Sequence, residues 1–498
     1  MSVKTNSRIH VFLLLGYACL IAGWAGVIPP GQGPDEPDHY VKALAAARGQ
    51  FVGRPLGSTE KGRLARIGFE DPGDGFRRFT RVFRLPARLV PGDQVLCNVF
   101  EPREPADCWD GKPVARDGHL DASSHVGTYQ PFLYLVPGLV ASLGSHPSMA
   151  IALGRGMFAL GAFALVGMGI SLLHRGGTRY LVAVPLTLSP MVIFTFATLS
   201  SSAIEVAAAF ALGCAVVGSG LGGSPRRASR SACLAMVALV LARPSGASFL
   251  VVFIVAALLM RRGGALGEGR ARVAAVSVVL GATVASLAWH ALVMPTLRLD
   301  VSSLSESVRT VFSFDGVRVI VVQAIGVFGW LDTTMPRAAY LVWLGGVLVV
   351  VLAALLRAQG FELLGGIFIV ATTLGIAVAI TADFAPSALR VQGRYLLPLA
   401  MLIPLFAGAS AGRSGWWRNR LGGVIAVAVM PVHFVAWWSF ARREAVGTDG
   451  PVSFLGVADW SPAGGWLPWL TLVVIGVALL MVAIVELFRS PAIGAGRV

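Results

Sequence analysis

Apolar runs of about 20 residues recur along most of this chain, and no other feature constrains its fold so strongly. A run of that length with almost no charge spans the ~30 Å hydrocarbon core of a bilayer as a helix. Thirteen apolar segments can be marked, from Val11–Ile28 at the start to Leu467–Leu487 at the end. Composition agrees: 55% of residues are hydrophobic and 13% are charged, against about 25% charged in an ordinary soluble protein. The sequence therefore predicts an all-α polytopic membrane protein, read as one integral-membrane domain over residues 1–498.

The formal charge of +15 does not point to nucleic acid. It collects in six short basic segments: "HRGGTR", "GGSPRRASR", "RRGGALGEGRAR", "RAQG", "GRSGWWRNR" and "FRSPAIGAGRV". Basic loops stay in the cytosol. Alternation satisfies that rule from a cytosolic N-terminus if one early segment does not cross. Tyr129–Leu143, broken by Pro131, Pro137 and Gly138, is the segment expected to stay on the outer face. The result is about 12 transmembrane helices, with 11 to 13 as the range, in a plasma (inner) membrane. Five polar stretches then lie outside: a long first extracytoplasmic loop over 29–128, a second large loop over 297–337, a last loop over 441–466, and the shorter "LSSSAIE" and "ADFAPSALRVQGRY". Lys4 and Arg8 ahead of the first apolar run read as a retained signal-anchor. No internal repeat is visible, which speaks against an inverted-repeat transporter.

Cys97 and Cys108 bracket "CNVFEPREPADC" inside the first outer loop. In an oxidising compartment such a pair forms a disulfide. Cys19, Cys214 and Cys233 lie in apolar segments and read as small buried side chains.

The candidate chemistry gathers on the same outer side. "GQGPDEPDHY", Gly31 to Tyr40, follows directly on the first span. Asp38 is expected to cap the helix that "YVKALAAARG" forms, which leaves Asp35 and Glu36 free. A carboxylate at a membrane-facing site has a raised pKa and suits a general base; the bland alternative is a solvated acidic loop. Arg155 lies inside a span, where charge is costly and has a partner or a function. It either binds phosphate or pairs with Asp35 or Glu36. Glu205 in "LSSSAIE" reads either as a helix start or as a site residue. Tyr129 is an interfacial anchor or a substrate contact, and His39 joins it in the substrate set. "QAIGVFGWLDTTMPR" carries Trp330, Asp332 and Arg337, and reads as a surface-lying segment or a sugar platform. "RVQGRYLLPLA" places Arg390, Gln392, Arg394 and Tyr395 at the mouth of a span. An Arg fork there suits a phosphate; snorkelling is the alternative. No Cys/His metal signature, Walker A or GxSxG pattern occurs. Any reaction must draw on an already activated substrate.

Four stretches in order, "PDEPDHY", "YQPFLYLVPGL", "IGVFGWLDTTMP" and "VQGRYLLPL", resemble the membrane family catalogued as domain of unknown function 2142 (DUF2142). The family is in turn similar to the glycosyltransferase C (GT-C) superfamily of integral-membrane inverting transferases. That resemblance implies a GT-C-like fold and a polyprenyl-phosphate-linked sugar as donor. The acceptor is then a cell-envelope glycan or lipid, reached amid membrane lipids and without nucleic acid. It implies Asp35 or Glu36 as catalytic base, and Arg394, Arg155 and Arg337 on the leaving phosphate. Trp330, Asp332, Gln392, Tyr395, Glu205, His39 and Tyr129 then face substrate. No cofactor or metal is demanded, although a carboxylate pair is able to hold a divalent cation. One departure stands out: related sequences often show an Asn-Pro-Asp-like motif where this chain has "LSSSAIE". A transporter or flippase of lipid-linked sugars, or a non-catalytic envelope-assembly scaffold, is the competing reading.

Overall fold

The computed structural model describes residues 2–57, 77–176, 181, 183–218, 225–260, 269–295, 303–356, 360–384, 391–413 and 420–489. Arg390 and most of the six basic segments lie outside the described residues.

The chain opens with α1 (Ser2–Val27), which ends where Pro29 and Pro30 withdraw their N–H groups. Then come α2 (Glu36–Ala46) and the strands β1 (Arg54–Pro55), β2 (Arg81–Pro86) and β3 (His119–Ser124). Next are α3 (Leu135–Ala141), α4 (Pro147–Gly176), α5 (Val184–Thr187), α6 (Pro190–Phe196) and α7 (Ser201–Gly218). The apolar hairpin α8 (Pro225–Ala242) and α9 (Gly246–Leu259) precedes α10 (Gly269–Val293). Next come α11 (Leu304–Phe312), α12 (Phe314–Gly326) and the strands β4 (Val327–Phe328) and β5 (Thr333–Thr334). The helices α13 (Arg337–Leu355), α14 (Gly360–Phe384), α15 (Leu397–Ala400), α16 (Leu402–Arg413), α17 (Arg420–Val429), α18 (Pro431–Val446) and α19 (Trp466–Arg489) complete the chain.

Among the described residues, nine helical stretches are long and apolar enough to cross a membrane. Two shorter apolar helices, Ser229–Ala242 and Gly246–Leu259, meet at Arg243–Ser245. This is a multi-pass helical membrane protein. The stretch expected as one span over Tyr180–Leu199 is instead broken into α5 and α6. The break has a local cause. Pro190 lacks an N–H and disfavours helix at the residue before it, and Ser189 caps the new helix by accepting from the Val192 amide at 3.3 Å. Tyr129–Leu143 forms only the seven-residue α3, about 10 Å long and too short to cross.

The chain is mostly helical, as expected, and carries two small sheets besides. The stretch 29–128 carries a three-stranded antiparallel sheet, β1-β2-β3, in which Phe83 pairs with Ala122 and Leu85 with Leu120. Val82, Phe83 and Leu85 are buried. Helix α2 lies against this sheet and is buried along its whole length.

The helices interlock through small residues and aromatics. A Cβ on Gly476 of α19 would sit 2.9 Å from the Gly16 carbonyl of α1, so only glycine lets these backbones approach. Trp24 of α1 meets Phe194 of α6, Phe328 of β4 and Phe440 of α18 at ring distances of 5.3, 4.9 and 5.5 Å. That cluster ties both halves of the chain to the end of the first helix.

Cys97 and Cys108 are disulfide-bonded, with Cα atoms 6.1 Å apart, as the sequence predicts. The bridge fixes the segment that carries Asn98 into the bundle, where Asn98 donates to Glu444 of α18 at 3.1 Å. Replacing both cysteines by alanine should lower stability by about 2–4 kcal/mol, measured as thermal unfolding in a nanodisc. An unchanged melting profile would mean that Asn98 seats without the bridge.

Candidate functional site

The turn from Pro29 to Glu36 places two neighbouring acids in opposite directions. Gly31 has φ +85°, and Asp35 is held at φ 56°, a left-handed conformation that a residue with a Cβ rarely adopts. Such strain persists only where surrounding structure over-determines it. Here a second strained turn does so. Gly329 (φ 61°) and Leu331 (φ 68°) turn the chain between β4 and β5, and the Trp330 indole N–H donates to the Gly31 carbonyl at 3.1 Å.

Glu36 points inward and has no exposure. Its carboxylate accepts from Arg155 Nε at 2.9 Å and Nη2 at 2.6 Å, from the Gly31 amide at 3.0 Å and from the Leu199 amide at 3.0 Å. Arg155 gives its other N–H groups to the carbonyls of Ala25, Ile28 and Pro29 at 3.1, 2.6 and 3.2 Å. All five guanidinium donors are therefore used. The two candidate roles for Arg155 resolve: it pairs with Glu36 and has no donor left for a phosphate. Glu36, with both oxygens saturated, holds the structure and has no lone pair free for an acceptor proton.

Asp35 points the other way and keeps 24% of its side chain exposed. Its Oδ2 accepts from Arg394 Nη2 at 2.9 Å, and its Oδ1 lies 3.8 Å from His125 Nε2. Burial on its own would raise the Asp35 pKa. The charge of Arg394 and the interaction with His125 reverse this and hold it well below the usual carboxylate range. The expected raised pKa is therefore not the ground state of Asp35. Asp38 is not the helix cap either. Asp35 occupies that position without a capping bond, and Asp38 Oδ1 accepts from the His125 amide at 2.8 Å and lies 3.1 Å from the ring Nδ1. Burial pushes Asp38 up to about 6. Burial also opposes the charge on His125, but Asp38 and then Asp35 outweigh it and push the imidazole up to about 9.

Around this triad the other candidates take definite places. Arg394 also reaches Gln392 and lies over the Tyr395 ring, 5.0 Å from its centroid. Arg243 stacks between Tyr129 and Tyr395, at 5.4 and 5.6 Å, donates to the Tyr129 hydroxyl at 3.1 Å and pairs with Glu205 at 3.4 Å. His39 is buried, with Nδ1 2.6 Å from the Tyr134 hydroxyl and Nε2 3.0 Å from Ser200 Oγ. Burial pushes His39 down to about 3, so it is neutral. Tyr134 donates onward to Ser201 at 3.0 Å. One tautomer, with the proton on Nδ1, satisfies the whole chain.

Three candidates fall elsewhere. Trp330 is 6% exposed and spends its N–H on the backbone, so it is a wedge between turns and not an open sugar platform. Asp332 pairs with Arg443 at 2.8 Å, and Arg443 also contacts Glu444 at 3.2 Å. Arg337 is exposed at the first residue of α13, outside the Asp35 cluster. Among the described residues no group of three or more His, Cys, Asp or Glu is placed to hold a metal ion.

The chain belongs to the family described as predicted membrane protein (DUF2142). The family's sequence model matches residues 19–403. That span of the DUF2142 chain takes in Asp35, His125, Arg155, Arg243 and Arg394, and stops short of Arg443. Neither curated proteins nor solved structures give a match to it.

Sequence reasoning passes over His125, Lys42 and Arg443, and gives no role to Arg243, which lies between two of the apolar segments. Arg243 had a usable signal, a charge between apolar segments. Lys42 is fully buried, donates to the Phe51 and Gly127 carbonyls at 2.7 and 2.6 Å, and is pushed down by burial to about 7.

Two outcomes follow from this geometry. Arg155→Met or Glu36→Gln alone leaves a buried partner uncompensated and should cost about 3–5 kcal/mol, seen as lost thermal stability and low yield; near-normal stability for both would show that the lock is dispensable. His125 titrates higher in the fold than its ordinary value of 6.5. Its stabilising contribution is therefore complete below about 6.5 and is lost as pH rises through about 9. Its ring should titrate near 9 by NMR, and Asp35→Asn with Asp38→Asn should bring that value down. A ring at its ordinary value in the unaltered protein would refute the ion triad.

Proposed function

We propose that this DUF2142 protein is an inverting membrane glycosyltransferase. It moves a sugar from a polyprenyl-phosphate donor to a cell-envelope glycan or lipid on the extracytoplasmic face of the plasma membrane. One observation carries the reading: Asp35 is a partly exposed carboxylate whose counter-ion, Arg394, is itself partly exposed. The reaction class rests on the resemblance to GT-C transferases read from the sequence motifs.

The ion pair gives the site a logic. In the free protein Arg394 keeps Asp35 strongly acidic, hence a poor base. A donor phosphate binding to Arg394 draws that positive charge away, and the partly buried Asp35 carboxylate becomes more basic. The acceptor hydroxyl then gives its proton to Asp35 as its oxygen bonds to the anomeric carbon. The bond from that carbon to the phosphate oxygen breaks in the same step. The electron pair stays on the polyprenyl phosphate, neutralised by Arg394 with Arg243 beside it. A single in-line displacement inverts the anomeric centre. Glu36 and Arg155 hold the turn, and His125 with Asp38 fixes the side of Asp35 away from Arg394.

General-base catalysis is worth about 10²–10⁴-fold, and Asp35→Asn should slow transfer by that order while leaving the fold intact. The assay is sugar transfer from a polyprenyl-phosphate sugar by purified protein in proteoliposomes. Because Asp35 stays ionised at low pH, kcat/KM should show no acid limb from it, and Arg394→Gln should bring such a limb into view. Full activity in folded Asp35→Asn protein would remove Asp35 as the base. Movement of intact donor across the bilayer without sugar release would favour a flippase.

A further inference from the structure

A groove borders the 29–36 turn. Pro29, Pro30 and Gln32 line it, and Asp35 does not. It is a groove of about 950 Å³, at the upper end of the range for small-molecule sites. We propose that this groove binds one glycolipid, a membrane lipid whose head carries sugar hydroxyls in place of a phosphate. The inference concerns binding alone and does not rest on the transfer reaction.

The walls define the tail. Ala18, Ala22 and Ala25 come from α1, and Ala152, Gly156 and Ala159 from α4. Both helices are long and apolar enough to cross a membrane. Their small side chains leave the groove open where larger ones would fill it. Leu160 in the same wall is 59% exposed, so the groove opens sideways from a spanning helix, into lipid. A soluble peptide has no route there; a hydrocarbon chain does.

The other end defines the head. There the walls become Trp109, Asp110, His146, Ser148 and Trp460. These side chains offer hydrogen bonds to hydroxyls and flat indole faces for the apolar side of a sugar ring. Among the described lining residues Arg155 is the only Lys or Arg. All five of its donors are already committed to Glu36 and to backbone carbonyls. A phosphate would therefore find no free cation in this lining, unlike the Arg394 side of the turn. The mouth is held in shape by the Cys97–Cys108 bridge and by Ser148 Oγ approaching the Gly111 carbonyl at 3.5 Å.

Gly156 supplies a clean test. A Cβ there meets nothing within 4 Å and its φ is not left-handed, so Gly156→Trp should fill the groove without straining the protein. The full chain in nanodiscs is photolabelled with an alkyl glucoside that carries a diazirine in its chain. Labelling should concentrate on the peptides holding residues 18–26 and 152–160. Unlabelled alkyl glucoside should compete, and alkyl phosphate and phosphatidylglycerol should compete poorly. Gly156→Trp should reduce labelling to the level of an unrelated membrane-facing peptide with an unchanged melting temperature. Trp109→Ala should weaken competition by the glucoside. Scattered labelling, or labelling that survives Gly156→Trp, overturns the site. Competition by alkyl phosphate as strong as by the glucoside overturns the assignment of the head.

Discussion

The site depends on a buried ion pair that does no chemistry in the proposed reaction. Glu36 and Arg155 are nearly inaccessible, and each exhausts its hydrogen-bonding capacity on the other and on nearby backbone. Two charges leave water at a large desolvation penalty, which only full satisfaction offsets. Because Glu36 opens α2 and Arg155 lies in α4, while their partners include carbonyls at the end of α1 and the Leu199 amide before α7, the pair ties four helices together. The turn between them can then hold Asp35 in a conformation it would not keep in isolation.

Adjacent residues in one acidic motif thus serve opposite ends. Glu36 gives up all reactivity to define geometry. Asp35 is left with one arginine, one imidazolium and access to solvent. A carboxylate in that state is a reserve of basicity that depends on what else its arginine binds. The rings of Tyr129 and Tyr395 and the Glu205 carboxylate hold Arg243 near Arg394, so two arginines share one small region.

Much of the architecture is legible in the sequence because a bilayer allows few solutions. Backbone in hydrocarbon must be helical, so hydropathy alone finds the long helices. The disulfide follows from two cysteines in one polar stretch. The exceptions are local. Phe83 and Leu85, spaced by two with Arg84 between them, are a strand signal, but it is short and sits in a long polar stretch. Pro190 and Ser189 together break a segment whose hydropathy still looks continuous. The site is legible as a place and not as a set of roles. Composition finds Asp35, Glu36, Arg155 and Arg394, yet nothing local says that Asp35 is left-handed and so faces away from Glu36. Trp330 shows the same limit, because its partner Gly31 is 299 residues away. His125 looks like any loop histidine until the fold brings it between two acids.

The separation of the partners also sets an order of assembly. Asp35 meets Arg394 across 359 residues, and Asn98 meets Glu444 across 346. A membrane protein is threaded into the bilayer from its N-terminus onward, so the acidic turn enters the lipid boundary long before its arginine exists. Glu36 is covered early, because Arg155 follows only 119 residues later. Asp35 must wait until the segment at 393–396 has been inserted. During that interval Asp35 has His125 at its side but not its arginine, so the acidic turn gains its full set of partners only late in synthesis.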